Sequence, residues 1–282
     1  MLTLYYFSYA APQTFTDRIG NDMIELNKIY CENNLDTMSR MADNFIDLTV
    51  TSPPYDNLRN YNGYDFDFES IAKELFRVTK KGGVVVWVVG DATINGSETG
   101  TSFKQALYFK EIGFRLHDTM IYQTGKPPMT HNRYEQEFEY MFILSKENPN
   151  VFNPIKSIKN HIETTNRNKK WRREKDGTHD MGRVNTGTMK IVGNVWYIES
   201  GVFDDKTAYK HPAVFPEALA EKHIYTWTNE GDLVYDPFTG SGTTPKMAHL
   251  LKRNWIGSEI SSEYVRIAKK RIEPYLMQKV LF

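Results

Sequence analysis

Cysteine is almost missing from this chain: Cys31 is the only one in 282 residues. An internal disulfide needs a pair and a multi-cysteine zinc site needs more, so neither is available. That scarcity fits a reducing compartment. Long apolar runs are missing too. No stretch approaches the roughly 20 apolar residues of a bilayer span, so no membrane partner is expected. The first residues, MLTLYYFSYAAPQTF, are apolar but aromatic and contain no early Lys or Arg. A signal peptide is therefore not expected, and residues 1–27 read as a packing arm. Charge of neither sign predominates, since 35 Lys and Arg balance 35 Asp and Glu. Global charge thus announces no nucleic-acid partner, and its local distribution has to be read instead. No internal repeat is visible.

What is present is a globular composition, 40% hydrophobic and 25% charged. The length suits one large α/β domain or a domain with an inserted subdomain. In the first half, strand-like and helix-like segments alternate. Lys28–Cys31 and Phe45–Thr51 read as strands, and Leu35–Met41 as helical. Phe68, Ile71, Leu75 and Val78 lie at helical spacing, and Lys80-Lys81-Gly82-Gly83 is expected to close that helix. Val84–Val89 (VVVWVV) is a continuous apolar run, the mark of a strand buried on both faces. Thr101–Ile112 reads as a helix, and Leu116–Tyr122 and Phe138–Leu144 as strands. After Pro212 come a helix (Phe215–Thr226), a strand (Asp232–Asp236), a helix (Thr243–Lys252), a strand (Trp255–Glu259) and a last helix (Ser262–Met277). Such alternation predicts a mostly parallel sheet with helices on both faces.

Residues 150–210 break the pattern, being polar and without evident periodicity. From Lys156 to Lys190 there are ten Lys or Arg against four Asp or Glu, a local excess of six. Its centre is NRNKKWRREK, residues 166–175, where Trp171 is set among Lys169, Lys170, Arg172 and Arg173. Charge segregated in this way on a neutral chain points to a polyanionic partner, with a solvated loop as the alternative.

Two short segments carry chemistry. The first is DLTVTSPPY, residues 47–55, in which a buried strand runs into two prolines. Proline cannot donate to a sheet ladder, so the strand ends there on a stiff turn with Tyr55 at its tip. The second is LVYDPFTGSGTT, residues 233–244, which reads as a strand, a glycine turn and a helix start. Gly240 and Gly242 allow positive φ and close approach of the backbone to a ligand. α/β sheets build nucleotide sites this way at the carboxyl ends of their strands. A phosphate-binding P-loop does not fit, because Pro245-Lys246 follows where Gly-Lys-Ser/Thr is required. The dinucleotide fingerprint lacks its third glycine. About twenty residues further on, the next strand ends at Glu259, a carboxylate able to accept both hydroxyls of a ribose. The expected ligand is an adenosine-type cofactor whose attached group need not be a pyrophosphate.

Taken in order, TSPPY (51–55), the basic segment and DPFTGSGTT (236–244) resemble the amino-group DNA methyltransferases of the β class. These use S-adenosyl-L-methionine (AdoMet) and place the catalytic motif before the target-recognition region and the cofactor motifs. The resemblance spans about residues 28–275. It implies a Rossmann-like α/β fold with a mostly parallel seven-stranded sheet and circularly permuted motif order. It divides the chain into a catalytic half (28–149), an irregular target-recognition region (150–209) and an AdoMet-binding half (210–282). Asp236, Phe238, Gly240 and Gly242 would line the cofactor's methionine end, with Thr243 and Thr244 nearby, and Glu259 would hold the ribose. KHPAVFPEAL, 210–219, matches a further cofactor motif through His211, Pro212, Phe215 and Pro216. FEYMFILSK, 138–146, resembles the strand supporting the target-base pocket. The family often has Gly-Asp before the first helix, where this chain has Glu32-Asn33, which makes Asn33 the candidate for the adenine amino group.

The same resemblance gives Ser52, Pro53, Pro54 and Tyr55 their roles. An exocyclic amine is a weak nucleophile because its lone pair is delocalised into the ring. Acceptors aimed at its N–H bonds favour the pyramidal, attacking geometry. Ser52 Oγ and the Pro53 carbonyl are suitable acceptors, and the proline pair fixes their direction. Tyr55 offers a face on which an extruded base can stack, worth roughly 1–3 kcal/mol, and a base must leave the duplex to reach it. No histidine and no metal is required. Ser-Pro-Pro-Tyr usually accompanies cytosine N4 and Asp-Pro-Pro-Tyr adenine N6, so cytosine N4 is the expected acceptor and adenine N6 the alternative. An RNA substrate or a catalytically silent DNA-binding module are readings from other classes. Double-stranded DNA is the expected partner, with a cognate restriction endonuclease and a homodimer as further expectations, in the cytoplasm of a prokaryote or encoded by a phage. Lys169, Lys170, Arg172 and Arg173 are the expected DNA contacts, together with Trp171.

Overall fold

The computed structural model describes residues 24–54, 66–124, 134–158, 170–173, 179–182, 189–199 and 215–277. The elements begin with β1 (Lys28–Tyr30), α1 (Asn34–Ser39), β2 (Ile46–Thr51), α2 (Phe68–Val78) and β3 (Thr79–Val89). A small hairpin follows, β4 (Thr93–Ile94) and β5 (Ser97–Glu98), then α3 (Thr101–Glu111), β6 (Arg115–Gln123) and β7 (Phe138–Ser145). Next are β8 (Lys156–Ile158), β9 (Lys170–Arg173), β10 (His179–Gly182), β11 (Met189–Ile191) and β12 (Val195–Tyr197). The chain continues through α4 (Glu217–Trp227), β13 (Leu233–Asp236), α5 (Thr243–Leu250), β14 (Asn254–Ser258) and α6 (Ser262–Met277).

Two compact units result. Pro154–Gly193 is one, and the rest of the chain is the other. In the smaller unit β8 pairs antiparallel with β11, and β9 with β10, placing Trp171 opposite Met181.

The larger unit is built on one sheet of order β1-β14-β13-β2-β3-β7-β6-β12. Among the described residues only the pairings of β7 with β3 and with β6 are antiparallel in this sheet, which is otherwise parallel. Among the described residues it has eight strands where seven were expected. The extra one is β12, three residues (VWY) alongside β6, too short to show a period against its polar surroundings. Helices α1, α2 and α3 pack in sequence on one another, as do α4, α5 and α6. Val84 to Val89 are all buried, so β3 is covered on both faces, as its unbroken apolar run implies.

Local chemistry explains the elements. Asp67 caps α2 by accepting from Ser70 N at 3.2 Å, and Ile71, Leu75 and Val78 are its buried stripe. Trp87 is fully buried beside Phe109 (ring centroids 5.2 Å apart) and Phe68 (6.0 Å), and its indole N–H donates to Gln105 Oε1 at 2.8 Å. The pair with Phe109 is edge-to-face, an arrangement that adds about 0.5–1.5 kcal/mol beyond area burial. Lys80-Lys81-Gly82-Gly83 does not sit outside the strand, as its glycines suggest, but lies within β3. The register jumps there, Ile46 facing Thr79 and Leu48 facing Val84, so the segment from Lys80 to Gly83 bulges out opposite Asp47. Gly82 supplies the positive φ (78°) that this bulge requires. Lys80 Nζ then pairs with Asp47 Oδ2 at 2.7 Å.

Candidate active site

Strand β2 is followed in sequence by α2 and β3 on one side of the sheet, and β13 by α5 and β14 on the other. The adjacent pair β13–β2 is therefore a topological switch point, where open α/β sheets leave a crevice at the carboxyl ends of their strands. Both distinctive segments end there. Thr51, the last residue of β2, donates its hydroxyl to Asp236 Oδ1, at the end of β13, at 2.7 Å. Thr244 Oγ1 donates to Val50 O at 3.3 Å, a second link from the start of α5 to β2. Ser52, Pro53 and Pro54 follow at once, with Pro53 buried and Ser52 half-buried.

On the cofactor side the carboxylates act first on the turn itself. Asp236 Oδ1 also accepts from Phe238 N at 3.0 Å. Glu259 accepts from Gly240 N through Oε2 (2.9 Å) and from Ser261 N through Oε1 (2.8 Å). Gly240 and Gly242 have φ of 50° and 84°. A Cβ on Gly242 would stand 2.8 Å from Ala268 Cβ, so glycine is required there by both space and conformation. Phe238 is half-buried, its ring edge-on to Phe66 at 5.7 Å. Thr243 and Thr244 are buried. Burial raises the Asp236 carboxyl to about 6, against the lowering effect of its bonds from Thr51 and Phe238. Burial also raises the Glu259 carboxyl, while the backbone N–H donors lower it.

The remaining expected residues fall in several places. Asn33 is exposed and uses its amide oxygen to cap α1, accepting from Leu35 N at 2.9 Å. The next residue, Asn34, is buried and donates to Pro237 O at 3.2 Å, and its Oδ1 has no hydrogen-bond partner among the described residues. Phe215 lies half-buried just before α4. Lys170, Trp171, Arg172 and Arg173 form β9 in the smaller unit. Tyr55, Lys169, His211 and the arm through residue 23 lie outside the described residues. Sequence reasoning missed Thr51, taken only as the end of a strand, and Arg271, which touches the glycine turn from α6. The second had a signal: Arg271 is a cation on the same helical stripe as Val265, Ala268 and Ile272, all buried.

These features define an α/β protein in which a glycine turn and a Ser-Pro-Pro turn meet at the switch point of the sheet. The family model described as DNA methylase, covering N6 and N4 enzymes, matches residues 46–270. The orphan methyltransferase M.BamHII of Bacillus amyloliquefaciens is 54% identical over 244 residues, spanning 84% of this chain and 92% of that relative. The type II methyltransferase M.HpaI of Haemophilus parainfluenzae is 26% identical over 257 residues, 87% of this chain and 74% of that one. Among solved structures, the cytosine-N4-specific PvuII DNA methyltransferase superposes with a TM-score of 0.64 at 22% identity, covering 86% of this chain and 85% of its own. A putative DNA modification methylase of Thermus thermophilus, complexed with AdoMet, gives 0.61 at 22%, covering 89% and 95%. The chain belongs to the N6/N4 DNA methylase family and is an AdoMet-dependent DNA amino-methyltransferase.

The site suits that cofactor. A buried carboxylate that is costly to ionise alone fits a ligand carrying a sulfonium and an ammonium, and Glu259 directly follows β14, at the kind of strand end where α/β sheets can take a ribose. Two outcomes are expected. In Asp236→Asn the bonds from Thr51 and Phe238 survive, because each ends on Oδ1. The wild-type carboxyl, with a folded value above its unfolded one, contributes most to stability below pH 4 and loses that contribution as pH rises through about 6. Urea unfolding should show the variant gaining up to about 3 kcal/mol at pH 8 and nothing at pH 4, while calorimetry shows AdoMet binding weakened at least about tenfold. Gly242→Ala should lower stability by about 1–3 kcal/mol and weaken AdoMet binding; a variant that binds and melts like wild type refutes the geometry given for the turn.

Proposed function

We propose that the protein transfers a methyl group to the exocyclic N4 amine of a cytosine flipped out of duplex DNA. The observation that carries this is the placement of Ser52-Pro53-Pro54 directly after Thr51, whose hydroxyl is bonded to the cofactor strand at Asp236. AdoMet, when bound, supplies an electrophilic methyl carbon. The chain's own part is to orient the acceptor. Ser52 Oγ and the Pro53 carbonyl accept from the amine's N–H bonds, turning its lone pair toward the methyl group and offsetting the positive charge that develops on nitrogen. Proline contributes no N–H that could compete. Tyr55 stacks on the extruded base. The methylated nitrogen is acidic and loses its proton to water, so no strong general base is needed.

Cytosine is favoured over adenine because a serine hydroxyl can donate to cytosine N3 as well as accept from the amine, whereas an ionised carboxylate in its place can only accept. Adenine N6 is the second reading, since the family embraces both amines. Within the cofactor site, Glu259 holds the ribose hydroxyls. Asp236, Phe238, Gly240, Gly242, Thr243 and Thr244 line the methionine end. His211 and Phe215 add a further wall, and Asn33 meets the adenine. The basic segment 156–190 serves target recognition, with Lys169, Lys170, Arg172 and Arg173 on phosphates or base edges and Trp171 among them. A cognate restriction endonuclease is the companion that the type II names of several relatives suggest, whereas the name of M.BamHII is that of an orphan. A homodimer is the proposed assembly.

Nucleoside mass spectrometry of DNA from cells expressing the chain should detect N4-methylcytosine; N6-methyladenine as the sole product overturns the choice of base. Ser52→Ala should lower kcat by about 10²–10³, the range for losing one group that stabilises developing charge, with AdoMet affinity retained. Lys169→Ala with Arg172→Ala should weaken DNA binding on every sequence and reduce the salt slope by about 2. Unchanged affinity in that double variant would show the segment to be a solvated loop.

A further inference from the structure

The glycine turn is gripped from below by a buried cation that the reaction itself does not call for. Arg271 of α6 is 3% exposed. One end of its guanidinium, Nη1, donates to Ser241 O at 2.7 Å, Ser241 Oγ at 2.9 Å and Thr243 Oγ1 at 3.2 Å. The other, Nη2, donates to Glu217 Oε1 at 2.9 Å, and Lys246 Nζ reaches the same oxygen at 2.6 Å. Two buried cations therefore share one carboxylate. Removing either cation leaves Glu217 paired, and Lys246 additionally rests over the Tyr275 ring at 4.9 Å. The contact of Ala268 with Gly242 shows independently that α6 lies hard against the turn. Glu259 holds the start of the same turn through Gly240 N.

We propose that Arg271 is a positioning residue for the methionine end of the cofactor. Its planar fork fixes the Ser241 carbonyl and the Thr243 hydroxyl on the α6 side, so that the turn's backbone presents one conformation to the ligand before it binds. Lysine, a point charge, cannot hold these acceptors and Glu217 together. The fork, not the charge, is the working feature. This inference rests on AdoMet being the cofactor and on the methionine end meeting residues 240–243.

The test compares S-adenosyl-L-homocysteine, which carries the amino-acid end, with 5′-methylthioadenosine, which lacks it, by calorimetry on the full chain. Arg271→Met should weaken S-adenosyl-L-homocysteine at least about tenfold and leave 5′-methylthioadenosine within about twofold. In turnover, the KM for AdoMet should rise while kcat changes far less. Arg271→Lys keeps the charge and the Glu217 pair, and should show the same selective loss in smaller degree. Lys246→Met removes a charge but not the fork, and both ligands should bind within about threefold of wild type. Equal loss of both ligands in Arg271→Met and Arg271→Lys would mean general damage and overturn the proposal. So would unchanged binding in Arg271→Lys, or a selective loss in Lys246→Met as large as in Arg271→Met. Failure of the wild-type chain to bind S-adenosyl-L-homocysteine would instead refute the cofactor reading beneath it.

Discussion

The hydrogen bond from Thr51 to Asp236 joins the two halves of the chemistry at the centre of the sheet. It closes a gap of 185 residues in sequence with a separation of 2.7 Å in space. Parallel pairing of β13 with β2 aligns the ends of the two strands, but register alone does not fix where the turns beyond them go. The Thr51 hydroxyl and the Asp236 carboxylate do that for the first residue on each side. Phe238 N on the same oxygen directs the glycine turn, and Ser52 starts the Ser-Pro-Pro turn from a residue already fixed. Thr51 is fully buried and Asp236 nearly so, so water does not compete for this bond.

The cost of that arrangement is a carboxylate buried where ionisation is unfavourable. Its burial outweighs the favourable hydrogen bonds it accepts and raises the carboxyl to about 6. A residue chosen for stability would be an amide. Keeping the acid sacrifices folding free energy, the trade-off expected where a site breaks local design rules for function. The Arg271–Glu217–Lys246 cluster has a related character. It places buried charge beneath a turn that could have been packed with apolar side chains.

Much of this was legible in the residues. The helix over Phe68–Val78 and the strand Val84–Val89 follow from periodicity and from an unbroken apolar run. The strand–turn–helix at Leu233–Leu250 was legible because an apolar strand, two glycines able to take positive φ and a helix start follow one another. What escaped has physical reasons as well. Lys80–Gly83 looks like a helix terminator because Gly-Gly usually is one, and only the register opposite Asp47 reveals a bulge. β12 is three residues long and has no period to read. Thr51 was hidden because a threonine at the end of a strand has an ordinary β-branched explanation. Arg271 was hidden because lysines and arginines abound in α6, and only burial separates it from the solvated ones.

The order of elements along the chain also governs how the molecule is made. The Ser-Pro-Pro turn is synthesised with the first strands, whereas β13, the neighbour that β2 requires at the centre of the sheet, begins only at Leu233. A nascent chain up to that point carries the turn without the cofactor strand beside it. The central strand pair closes late, after the smaller unit has already been translated, a long loop closure of the kind that slows folding in general. A chain must therefore be translated beyond Asp236 before the Thr51 hydroxyl can find its partner.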